Sequence, residues 1–253
     1  MRHRDEAALW QDDAARQRDG VMQQAVTPRS VPRHGEDEAA ATFRAAVAEF
    51  EAGRERQRRL RSEFTFEDTP APRRLAPHAA AMGATVWRDG SEAAWGRLVL
   101  LYDPREQQSW AGGYRLVAYL RAEVEPELAS DPMLCQVGWS WLTEALDART
   151  PGYTAPSGTV SRVTTEGFGG KGDEPPAHGF ELRASWSPAP SPPVPSSPPS
   201  APAALDLAAH VMAWCDSLGA AAGLPPLAPG VCVLDDGLAA PGTAQGQRPR
   251  RRP

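Results

Sequence analysis

Gly167-Phe168-Gly169-Gly170-Lys171-Gly172 has the glycine spacing of a dinucleotide-binding loop. Such a loop works by opening a helix whose N-terminal amides hold pyrophosphate. Here Asp173, Glu174, Pro175 and Pro176 follow, and then a strand pattern. Two carboxylates and two prolines build no anion site. A phosphate loop also needs Ser or Thr after its lysine, and Gly172 follows Lys171. The segment reads as a hairpin loop, and no cofactor is expected. Glu123, Glu125 and Glu127 alternate as metal-binding carboxylates could, but Pro126 interrupts them and no histidine is near. They read as the solvated end of a strand.

Histidine and cysteine offer little nucleophilic chemistry. His210 and Cys215 stand five apart on one predicted helix, so their side chains diverge. No serine or cysteine sits in a nucleophile-elbow sequence. His78, with Arg73 and Arg74 shortly before it, is where a small polar pocket is expected if there is one. Cys135, Cys215 and Cys232 are odd in number and unpaired in spacing, which predicts free thiols in a reducing compartment and no metal site. The chain holds 8 tryptophans. Trp139, Trp141, Trp186 and Trp214 fit two roles: large core residues, or the lining of a groove that grips a partner.

The elements that must position these residues follow from periodicity. Residues 1–40 mix charge with Gln, Pro and Gly, and read as a disordered tail. Phe43, Val47 and Phe50 make the apolar stripe of a helix, which ends in Arg54, Arg56, Arg58, Arg59 and Arg61. Cations there suit a helix C-terminus. Strands are expected at 84–88, 96–102 and 114–124, the middle one apolar on both faces and so central. A helix spans 132–148, followed by strands at 159–166 and 180–187. Leu207, Val211, Trp214 and Leu218 mark a closing helix, with Gly223 as its left-handed cap residue and Pro225 blocking extension.

The resulting fold is α+β and two-layered, in the order α-β-β-β-α-β-β-α. An antiparallel sheet of about five strands carries helices on one face. It occupies 41–224 as a single domain, with a Pro/Ser-rich spacer at 188–202 and a disordered, basic-ended tail at 225–253. The closing helix is expected to pack on the strands at 96–102 and 114–124.

Net charge is −5 with both signs interspersed, which argues against a nucleic-acid surface across the protein. Only the RPRRRP end offers weak phosphate contact. The first twenty residues contain no apolar core of a secretory signal, and apolar runs such as 98–102 are too short for a bilayer. A cytoplasmic location without membrane contact is expected.

APRRLAPHA (71–79), GRLVLLYDP (96–104), YRLVAYLRAEVEPELASDPML (114–134), VGWSWLTEAL (137–146), GTVSR and EGFGG (158–170) and ELRASW (181–186) together resemble an uncharacterised actinobacterial family, the domain-of-unknown-function family three thousand. The resemblance spans most of 42–226 and implies no catalytic or ligand residues. The element order also resembles the type III secretion chaperone-like fold, which implies dimerisation and peptide binding. The sequence therefore points to a non-enzymatic interaction or adaptor module, holding an unidentified protein or a second copy. The alternative is an enzyme or RNA-processing accessory with a small pocket near His78.

Overall fold

The computed structural model describes residues 33–190 and 205–227. The expected tail residues 1–32 and 228–253, and 191–202 of the spacer, lie outside the described residues. Helix α1 (Arg33–Leu60) starts inside the stretch assigned to the N-terminal tail. Its buried side is Ala39, Ala46, Phe50 and Gln57, at alternating spacings of helical period. Of the arginines that follow, Arg54 and Arg58 are paired. Arg54 bridges Glu51 and Asp68, each at 2.7 Å, and Arg58 reaches Glu55 at 3.3 Å.

Strands β1 (Phe64–Asp68), β2 (His78–Arg88), β3 (Ser91–Gln107), β4 (Gly112–Glu123), β5 (Tyr153–Thr165) and β6 (Ala177–Pro188) form one six-stranded antiparallel sheet in the order β1-β2-β3-β4-β6-β5. The α+β class is as expected, but the sheet gains a strand. In β1, FTFED alternates Phe64 and Phe66 toward the core with Thr65 and Glu67 away from it, a short signal lying between an arginine cluster and a proline run. Strand β2 is longer than ATVWR; its first half is alanine-rich, and alanine's weak strand propensity leaves that half unmarked in the sequence. The β2–β3 turn is Asp89-Gly90 with φ of 53° and 78°, a two-residue hairpin turn that matches the twist of its strands.

Helix α2 (Pro126–Ser130) is a single short turn, and α3 (Leu134–Arg149) carries the chain to the far edge. There β5 forms and turns back as β6, between β4 and β5. Pro188, assigned to the spacer, is the last residue of β6.

Helix α4 (Leu207–Ala221) packs on the centre of the sheet, flanked by α1 and α3. Thirteen of its residues are buried, so it is enclosed on all sides. Asp206 caps its start by accepting from the Ala209 amide at 2.9 Å. Its end is a Schellman motif. The Leu224 amide bonds the Gly219 carbonyl at 2.9 Å, the Gly223 amide bonds Ala220 at 3.0 Å, and Gly223 takes φ 74° as expected of the cap residue.

The helix reaches the sheet because Gly96 leaves room for it. A Cβ there would stand 2.9 Å from Trp214 Cζ2 and 3.3 Å from Leu218 Cδ1. Trp214 is 0% exposed. Trp214→Ala should lower stability by about 3–5 kcal/mol, the scale of large-to-small core changes. A urea unfolding midpoint equal to that of the parent would contradict this seating of α4.

Candidate functional site

The four tryptophans do not form a surface groove. Trp214 on α4 and Trp186 on β6 are fully buried between helix and sheet. Trp139 is half-buried, with its ring against the backbone of Gly158 in β5. Trp141 stands edge-on to Phe180, ring centroids 5.5 Å apart. The two α3 tryptophans thus seat their helix on the far end of the sheet. Close contact needs Gly138 as well, since a Cβ there would meet the Phe180 ring at 2.1 Å. Core demand explains all four, and no sequence pattern separates that role from a groove.

His78 begins β2 and pairs across to Tyr102, which pairs to Tyr114. Phe43 of α1 stacks on His78 and Tyr102, and Tyr102 stacks in turn on Tyr114. Centroid separations are 5.4 Å for Phe43–His78, 5.8 Å for His78–Tyr102 and 4.5 Å for Tyr102–Tyr114. Burial pushes the Tyr114 phenol up to about 12, so it stays neutral. Arg73 and Arg74 are exposed on the β1–β2 connection. A depression of about 620 Å³ lies at the same end of the sheet but on β5, lined by Leu146, Asp147, Thr150, Tyr153, Ala155 and Pro156 among others. From β2 to β5 is four strand spacings, roughly 19 Å, so His78 and this depression are separate places. Among the described residues, no group of three His, Cys, Asp or Glu side chains could hold a metal ion. The GFGGKG loop closes the β5–β6 hairpin with a single 3-10 turn at Gly169–Lys171 and runs into a strand, with no α-helix opening from it.

The sheet face away from the helices holds features that periodicity did not single out. Arg115 is 8% exposed, and its guanidinium donates to the Ala155 and Ser185 carbonyls and to the hydroxyls of Ser157, Ser185 and Ser187. Burial lowers its pKa. Among the described residues its partners are neutral oxygens, and they tie β4, β6 and β5 together. Arg97, also 8% exposed, donates to the Pro70 carbonyl and so fastens the proline-rich connection to this face.

Strand β5 is the least covered element of the sheet. It is the last strand on its side, and only Tyr153 and Val160 are even half-buried. After an irregularity at 154–157, with Ala155 at φ 48°, its pairing with β6 is regular from Ser157 to Thr165. Edge strands are normally blunted by charge, proline or a covering loop. Over 157–165 β5 has one charge, Arg162, whose Nη1 is turned onto the carbonyls of Ala129, Ser130 and Asp131 at 3.3, 3.5 and 3.0 Å. Exposed apolar residues gather at its end: Val163 within the strand, Phe168 just beyond it, and Leu128 beside the Arg162 contacts.

Residues 39–232 match the family described as Protein of unknown function (DUF3000). The chain belongs to the DUF3000 family. No curated protein and no solved structure matches it, so the likeness to the secretion-chaperone fold has no structural match behind it. None of the helices among the described residues of this DUF3000 chain is long and apolar enough to cross a membrane.

One buried group in the DUF3000 core titrates in an accessible range. Trp186 Nε1 can only donate, and it bonds His210 Nδ1 at 3.1 Å. The ring proton therefore sits on Nε2, which is buried without a partner. Burial pulls the imidazole from 6.5 down to about 4, partly opposed by Asp206. The folded form keeps His210 neutral while the unfolded chain takes up a proton as pH falls through 6.5. Stability should therefore fall by about 1.4 kcal/mol per pH unit from roughly pH 6.5 to pH 4, and this contribution levels off below that. His210→Gln retains an acceptor for Trp186 but does not titrate. Urea midpoints taken across this window should fall more steeply for the parent than for the variant, and equal slopes would remove His210 as the cause.

Proposed function

We propose that this chain is a non-enzymatic protein-interaction module whose binding element is the open edge of β5. The observation that carries this reading is the regular, uncovered run from Ser157 to Thr165 with exposed Val163 and Phe168 beside it. An unpaired edge presents a row of backbone donors and acceptors to any extended segment. Side chains of Ser and Thr leave that row accessible. An aromatic ring next to it supplies the buried anchor on which interface affinity usually depends. The reading of an enzyme or RNA-processing accessory at His78 draws less support, because Phe43 and Tyr102 stack on that ring. We place the module in an actinobacterial cytoplasm, on the arginine-over-lysine bias of the chain and its free thiols.

A photo-crosslinking residue at Thr159, on the exposed edge, should give light-dependent adducts with protein in living cells. The same residue at Arg73 tests the His78 end. Adducts at Arg73 and none at Thr159 would overturn the assignment of the edge as the binding element.

A further inference from the structure

Which strand fits this edge is written in β5 itself. Residues directly opposite in an antiparallel pair point to the same face. A two-fold axis normal to the sheet must then pass through a residue, since opposed positions need the same parity. The regular stretch runs from Ser157 to Thr165, and its middle residue is Ser161. With the axis on Ser161, Ser157 faces Thr165, Gly158 faces Thr164, Thr159 faces Val163, and Val160 faces Arg162. No two charges oppose each other, and the Arg162 guanidinium is already held by the 129–131 carbonyls. An axis one residue further on would set Arg162 against itself.

The same axis relates two features outside the paired stretch. Phe168 is 80% exposed, a large apolar ring left mostly in water. It lies three residues beyond Thr165. The 620 Å³ depression, lined by Leu146, Tyr153, Thr154, Ala155 and Pro156, begins one residue before Ser157. With Ser157 opposite Thr165, the loop of one copy leaves the seam beside the depression of the other. We propose that β5 is the seam of a two-fold dimer of this chain, with Phe168 of each copy entering the Leu146–Tyr153–Pro156 depression of the other. Such an interface is isologous: the same knob and hole occur on both subunits. It makes one continuous sheet with both helix layers on one side. This inference rests on β5 being the binding element and names what binds there.

Sedimentation of the full chain tests it. The parent should behave as a dimer of the 27.2 kDa chain. Phe168→Ala should weaken association about tenfold or more, as loss of an aromatic anchor does. Thr159→Lys with Val163→Lys puts four positive charges at the seam and should give monomers, as should Thr159→Glu with Val163→Glu. Mixing the two monomers should restore a dimer, because only then do opposite charges meet. All these positions are exposed, so far-ultraviolet circular dichroism of each variant should match the parent's, showing that the fold is kept. A parent that stays monomeric at about 100 µM, or a dimer indifferent to Phe168→Ala and to both charge sets, overturns the proposal. A monomer that still crosslinks other proteins through Thr159 overturns the dimer but leaves the edge as an interaction site.

Discussion

Trp214 and Leu218 rest on the backbone of Gly96, and the two-layer arrangement depends on that close contact. Helix α4 can lie so deep only because β3 offers no side chain at Gly96, beneath Trp214 and Leu218. Gly53 does the same from the side. A Cβ there would approach Val211 Cβ at 2.7 Å and the Ala208 carbonyl at 2.8 Å. Once α4 is seated, α1 and α3 take the places on either side and cover the flanks of the sheet. The helix is apolar all round, a composition that belongs inside a protein and not on its surface.

Such enclosure carries a polar cost. His210 Nε2, Trp214 Nε1 and both side-chain polar atoms of Gln57 are buried without partners. Each unmet group costs on the order of 1–3 kcal/mol. Apolar burial by Phe50, Leu98, Trp186 and Trp214, among the largest fully buried side chains, offsets it. Charge is placed with more care. Arg149 and Asp216 pair at the α3–α4 contact, and Arg88 donates to the Ala222 carbonyl at the C-terminus of α4 at 3.0 Å, where a cation is favoured.

Local signals in the sequence were legible where they were repeated. The period of two through Leu116, Ala118 and Leu120 marks β4, and the stripe from Leu207 to Leu218 marks α4 and its target strands. Gly223 marks the cap because only a residue tolerant of positive φ fits there. Phe64 and Phe66 were too few to mark β1. In β5, residues 159–166 read as an ordinary alternating strand, yet both faces of the strand are largely exposed. Whether a strand lies at an edge is decided by the order of the whole sheet, which periodicity does not carry. The tryptophans were ambiguous for a similar reason, since one ring serves a core or a groove equally well. The site at Arg115 was silent in the sequence because its partners are hydroxyls and carbonyls scattered over two other strands.

The position of α4 in the chain sets an order of events on the ribosome. Strands β3 and β4 emerge with their apolar face complete by residue 123, while the helix that covers it begins at Leu207. At about 5–20 residues per second, the nascent sheet waits for several seconds with Leu98, Leu100, Leu116 and Leu120 uncovered. Any chain released before α4 is made presents that face permanently. Exposed apolar surface of this kind is aggregation-prone, and α4 is the element that removes it from the finished molecule.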